Sequence, residues 1–211
     1  MTVAQGRFIT LEGGEGAGKS TQAARLAERL RHVGLEVVAT REPGGSPGAE
    51  QVRRLLVSGD VDRWSSTTET LLLYAARADH LERVIRPGLD RGAWVVCDRF
   101  SDSTRAYQGA AGGASPILLS ALEREVVDGS KPDLTLVFDL PAADGLKRTV
   151  ARGEAATRFE ARGRDFHERL RAAFLELARA EPERCVVVDA TASPDEVETT
   201  IWRAVKARLE P

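Results

Sequence analysis

The chain has little of what marks several large protein classes. It holds only two cysteines, Cys97 and Cys185, each inside an apolar run and neither in a CxxC or His/Cys spacing. That excludes a disulfide scaffold and a zinc ribbon, and two buried free thiols are the expectation. No apolar run approaches the length of a membrane span. Neither sign of charge prevails: 30 Lys+Arg face 32 Asp+Glu, for a formal net charge of -2. A general nucleic-acid binder carries a broad basic face that this balance does not supply. A polyanion would have to be held by local placement. Repeats, heptads and low-complexity tails are missing, and the N-terminus lacks the pattern of a signal peptide. The expectation is a cytoplasmic protein without a membrane or nucleic-acid partner.

What is present suits one domain. The chain has 211 residues, of which 42% are hydrophobic, enough for a continuous core. Short β-rich runs fall at 7–12, 36–40, 94–98, 134–139 and 185–189. Helical spacing links them, over 19–32, about 49–56, about 67–86, about 116–128, 165–179 and 195–209. Ser66 or Thr67 is the expected cap of the third helix, and Pro87-Gly88 its expected stop. Such alternation predicts an α/β fold, a five-stranded parallel sheet with helices on both faces. Ligands then collect at the carboxyl ends of the strands. Glu12, Asp98, Asp139 and Asp189 stand at such ends.

Gly13-Gly14-Glu15-Gly16-Ala17-Gly18-Lys19-Ser20 matches the phosphate-loop pattern GxxxxGK[ST] between a predicted strand and a predicted helix. Small residues let the backbone curl round phosphate oxygens, and unpaired N–H groups at the helix start point into the curl. Lys19 supplies positive charge to the β- and γ-phosphates, and Ser20 offers a hydroxyl to Mg²⁺. Gly13 to Thr21 are thus the candidate ATP-binding set. Asp98 is a candidate Mg²⁺ ligand, directly or through water. Glu12 could polarise the same water shell or brace the loop by a hydrogen bond.

A GTPase is disfavoured. Ser130-Lys131-Pro132-Asp133 looks like a guanine-recognition element but precedes a strand, and Asp98 opens no DxxG. The chain is also short for a motor or transporter ATPase. Arg41, Glu42, Arg53, Arg77 and Arg99 lie near strand exits or on the long helix, where they could converge on a second anion. A mobile, arginine-rich lid is expected at about 147–165, within a run holding Arg148, Arg152, Arg158, Arg162, Arg164 and Arg169. Such a lid would exclude water and stabilise charge in phosphoryl transfer. His32, His80 and His167 form no metal or nucleophile pattern. Trp64, Trp94 and Trp202 read as core or interface anchors.

With these marks in order, the chain resembles the bacterial thymidylate kinase family over nearly its whole length. The resemblance lies in the phosphate loop, Thr40-Arg41-Glu42-Pro43-Gly44-Gly45, Tyr74-Ala75-Ala76-Arg77, Asp98-Arg99-Phe100, Ala106-Tyr107-Gln108-Gly109, and Ala151-Arg152-Gly153-Glu154 with Arg158. It implies a P-loop nucleoside-monophosphate kinase, usually a homodimer, that passes a phosphoryl group from ATP to dTMP with Mg²⁺ in dTTP synthesis. Arg99 would grip the acceptor phosphate, with Arg41 and Glu42 nearby. Arg53, Arg77, Ser103, Thr104 and Gln108 would define the thymidylate pocket, and Tyr107 would pack by the sugar. Because the phosphate loop carries Glu15 and no arginine, the catalytic arginine would come from the lid, from Arg152 first, then Arg148 or Arg158. Leu73 stands where the family often has a phenylalanine stacking on thymine. Glu69 and the apolar face of its helix are candidates for a dimer contact. Kinases for another pyrimidine nucleotide, and a non-catalytic nucleotide-binding regulator, remain as alternatives.

Overall fold

The five apolar runs become five parallel strands: β1 (Phe8–Gly13), β2 (Val37–Arg41), β3 (Trp94–Asp98), β4 (Leu134–Asp139) and β5 (Cys185–Asp189). Their order in the sheet is β2-β3-β1-β4-β5. The computed structural model describes residues 6–151 and 157–211. β1 is central and wholly buried; Phe8, Ile9 and Leu11 are apolar, and its polar Thr10 and Glu12 find hydrogen-bond partners in Thr135 and in Phe100 and Ser103. The edge strands β2 and β5 are only partly covered. Register brings Arg41 level with Asp98, and Gly13 level with Phe138. One end of the sheet therefore carries Glu12, Arg41 and Asp98 together.

Alternation along each strand sorts the core into two faces. Ile9, Leu11, Val96, Leu136 and Val188 pack against α1 (Lys19–His32) and the closing helix α9 (Pro194–Leu209). On the other face, Val95 and Cys97 meet Tyr74 of α3 (Ser66–His80), while Val137 and Cys185 meet α8 (Arg164–Ala180) through Phe166, Leu170 and Phe174. Both cysteines are free and buried. Ser193 and Glu196 form a reciprocal capping box that starts α9.

Two boundaries differ from expectation. The cap of α3 is Ser65, whose hydroxyl accepts from the Thr68 N–H. Pro87 does not stop the long helix. A π turn over Leu81–Ile85 precedes α4 (Arg86–Asp90), and proline occupies its first turn. A proline has no N–H to lose there, and the wider turn takes up the change of register. The other helices are α2 (Pro47–Val57), α5 (Ser101–Thr104), α6 (Pro116–Leu122) and α7 (Ala142–Ala151). Among the described residues, no helix is long and apolar enough to cross a membrane.

Candidate active site

The carboxyl end of the sheet opens into a cavity of ≈ 430 Å³. Its walls come from the phosphate loop, the β2–α2 segment, α2, α3, the β3–α5 turn, α5, the π turn after α5, and Arg148, Thr157, Phe159 and Glu160 of the expected lid. The loop follows β1 and leads into α1. Gly16 has φ 69°, and a Cβ there would strike the Gly145 backbone of α7. Glycine is thus required twice over, by backbone conformation and by close approach.

Lys19 bends back to donate to the Gly14 carbonyl at 2.6 Å. Burial and the charge of Arg99 bring its ammonium down to about 8. The Ser20 hydroxyl donates to Asp98 Oδ2. Asp98 Oδ1 is buried and has no hydrogen-bond partner. Magnesium binds hard oxygens, typically one or two carboxylates with phosphates and water supplying the rest. A hydroxyl paired with a carboxylate that keeps one oxygen spare fits that ion. No cluster of three or more His, Cys, Asp or Glu suited to a metal occurs among the described residues.

Arg99 sits at the centre. Its backbone has φ 72°, a left-handed conformation that a long side chain adopts only under constraint. The guanidinium donates to the Gly13 carbonyl at 2.8 Å and to Ser103 at 3.2 Å, and pairs with Glu15 at 3.1 Å. Burial alone would raise the Glu15 carboxyl. The charges of Arg99 and Lys19 outweigh it and hold that group down at about 2. Tyr107 donates its phenol to Glu15 at 2.7 Å, while its ring packs against Phe159, Phe166 and Phe174.

The far wall is built round Arg77, which is 1% exposed. Its Nε donates to Glu42 at 2.8 Å and its Nη2 to Thr104 at 3.0 Å, while Nη1 is buried without a partner. Glu42 is shared with His80 at 3.1 Å, so both its oxygens are committed to protein groups. Arg53 donates to the Pro43 carbonyl at 2.7 Å, and Arg41 pairs with Glu50 at 3.0 Å. Leu73, 8% exposed, and Gln108 complete this wall. Arg148 lines the cavity and donates to the Ala190 carbonyl at 3.1 Å. Thr21 lines it as well.

Three expectations are corrected. Arg158 does not reach the phosphate loop. It is 3% exposed and spends its donors on the Leu56, Asp60 and Val61 carbonyls and on Glu69. A buried guanidinium must find acceptors close by, and the α2–α3 connection offers them. Glu12 does not face the metal site. Its oxygens accept from the Phe100 N–H and the Ser103 hydroxyl, and burial beside the charge of Asp102 pushes it up to about 8. It braces the turn that carries Arg99. Glu69 is not a surface contact, being 1% exposed and bound to Arg158, Arg162 and Gln108. Arg152, the leading candidate for the lid, lies outside the described residues.

Sequence reading did not foresee the pairing of Glu15 with Arg99, or Thr157, Phe159 and Glu160 as part of the wall. The run from 157 to 160 lies within the expected lid. Its aromatic Phe159, placed beside a run of arginines, was the available signal.

A parallel sheet of this order, with a phosphate loop after its central strand and an arginine-lined cavity at the strand ends, defines a P-loop phosphotransferase. The comparisons narrow that class. The family model described as thymidylate kinase matches residues 11–201. A thymidylate kinase of Caulobacter vibrioides is 64% identical over 205 residues, covering 97% of this chain and 98% of its own length. One from a Bradyrhizobium species is 54% identical over 207 residues, covering 97% of this chain and 92% of its own. The crystal structure of thymidylate kinase from Ehrlichia chaffeensis superposes with a TM-score of 0.79 at 32% identity, over 95% of this chain and 99% of that one. The chain belongs to the thymidylate kinase family.

Proposed function

We infer that the cavity holds two nucleotides end to end, with ATP phosphates in the phosphate loop and the acceptor phosphate on Arg99. The chain is a dTMP kinase, transferring the γ-phosphoryl group of ATP to dTMP to give ADP and dTDP for dTTP biosynthesis. One observation carries the arrangement: Lys19 and Arg99, one cation for each phosphate cluster, border a single cavity, and the charges of both bear on Glu15.

The acceptor atom is a phosphate oxygen, mostly deprotonated near neutral pH, so no strong protein base is needed. The carboxylates of the site serve the cations instead, Glu15 on Arg99 and Glu42 on Arg77. The protein's work is to bring two anions together and offset their repulsion. Ser20 and Asp98 would hold Mg²⁺, which supplies charge neutralisation on the phosphates when bound. Arg41, Arg53 and Ser103 line the same cavity and would serve the acceptor. Arg77 and Thr104 meet the base edge, Leu73 its face, and Tyr107 the sugar. A lid arginine, Arg148 or Arg152, contributes charge to the phosphoryl group in transfer. The resemblance further supports a homodimer, and Leu71 on α3, 48% exposed, offers an apolar side chain for such a contact.

An acceptor panel of dTMP, dUMP, UMP, CMP and GMP with ATP and Mg²⁺ tests the function. The expected outcome is clear preference for dTMP, with turnover falling about 10²–10³-fold in Lys19→Ala and in Arg99→Ala. Normal dTMP-dependent ADP production by both variants would sink the proposed site.

A further inference from the structure

Glu69 lies in α3, outside the cavity lining, and the reaction as described makes no use of it. It is nevertheless among the most enclosed charges of the molecule, with 1% exposure. Its Oε1 receives Arg158 Nη2 at 2.5 Å and Arg162 Nη2 at 3.5 Å. Its Oε2 receives Gln108 Nε2 at 3.1 Å. Gln108 in turn lines the cavity.

A carboxylate paired with guanidinium groups offers acceptors only. A glutamine amide has one face that donates and one that accepts. Only its NH₂ can be turned to Glu69, because the opposite orientation would set a carbonyl oxygen against a carboxylate oxygen. The Gln108 carbonyl is thereby committed to the cavity side. No hydrogen bond to Gln108 Oε1 is found among the described residues, and it is not among the buried unpartnered atoms. Arg77 also lines the cavity and donates to Thr104, four residues before Gln108; its Nη1 is buried without a partner, with the guanidinium plane set by Glu42 and Thr104. The base wall thus offers one donor and one acceptor, each fixed in kind by a residue behind it.

We propose that Glu69 is a specificity-determining positioning residue: it locks the Gln108 amide with its carbonyl toward the base, so that the site accepts a ring N–H next to a carbonyl and rejects a bare ring nitrogen next to an amino group. This inference depends on thymidylate as the acceptor. Thymine has the first pattern, its N3–H facing Gln108 and its O4 facing Arg77. Cytosine has the second, and both contacts then oppose like with like. Discrimination by reversed hydrogen-bond polarity is strong in an enclosed site, because neither side can turn to water. Uracil shares thymine's edge, so Glu69 has no part in reading the methyl group.

The test compares dTMP with 5-methyl-dCMP, which keeps the methyl group and changes only the edge. For the unmodified protein, kcat/KM for 5-methyl-dCMP is expected to be at least about 100-fold lower. Values within about tenfold of each other would overturn the proposal. Glu69→Gln removes the bias on the amide, and the ratio should narrow by about tenfold or more. Because that change also strips a partner from two buried guanidinium groups, Glu69→Asp is the companion variant. It keeps the charge and shortens the reach to Gln108, and should also narrow the ratio. In a Gln108→Met background, Glu69→Asp should leave the ratio unmoved. Parallel loss of both activities with an unchanged ratio would mark Glu69 as a purely structural group. Absence of any dTMP turnover in the unmodified protein would instead sink the kinase reading itself.

Discussion

Glu15 of the phosphate loop pairs with Arg99 at the end of β3, 3.1 Å apart, and Tyr107 donates to the same carboxylate at 2.7 Å. A loop that evolved to receive anions thus carries an anion of its own, set against the guanidinium proposed to hold the acceptor phosphate. The pair keeps a half-buried cation neutralised while the site awaits substrate. An incoming phosphate competes with Glu15 for Arg99. Glu15→Gln should therefore bind inorganic phosphate more tightly, by about tenfold, since charge-assisted contacts of this kind amount to about 1.5–3 kcal/mol. Calorimetric titration of phosphate into the two proteins checks this, and equal affinities would mean that the pair does not compete.

Glu12 gives a dependence on pH with a definite sign. Its folded value is raised from 4.5 to about 8 by burial and by Asp102. The folded protein then holds a proton that the unfolded chain has released. The contribution to stability is complete below the unfolded value and is lost as pH rises through about 8. Glu12→Gln should flatten this trend. Urea midpoints measured from about pH 5 to about pH 9 are the readout. An equally steep decline in the variant would place the titration elsewhere.

Arg158 separates a structural role from a phosphate ligand. Its guanidinium is satisfied by three backbone carbonyls and Glu69. Arg158→Ala should lower the unfolding free energy by about 3 kcal/mol, the scale for breaking a buried ion pair. Thermal unfolding without ligand reads this directly. A protein of unchanged stability with a large rise in the KM for ATP would restore the lid role that the geometry denies.

Leu73 lines the cavity from α3, beside Arg77 and Gln108. Leucine gives apolar contact without a stacking face. An aromatic ring against the base adds about 0.5–1.5 kcal/mol beyond its buried area. Leu73→Phe should therefore lower the KM for dTMP by about twofold to tenfold with kcat little changed. An unchanged or higher KM would mean that the wall is already shaped round the shorter side chain.

By itself the sequence determined the frame and the main landmarks. The five strands, α1 and the phosphate loop are local patterns: apolar runs of strand length, helical spacing, and glycines at fixed offsets before Lys19 and Ser20. Asp98 and Arg99 were legible because they close an apolar run at the sheet end where ligands bind. What the tertiary structure decided is where each long charged side chain spends its donors. Arg158 and Arg152 look alike within one arginine-rich run, and only the placement of the α2–α3 carbonyls beside Arg158 draws it away from the loop. Glu12 and Glu15 lie three positions apart, yet one is pushed up to about 8 and the other held near 2. Burial raises both; at the first the charge of Asp102 adds to it, and at the second the charges of Arg99 and Lys19 outweigh it. Charge pairing over such separations depends on the fold that brings the partners together, and no local pattern of residues encodes it.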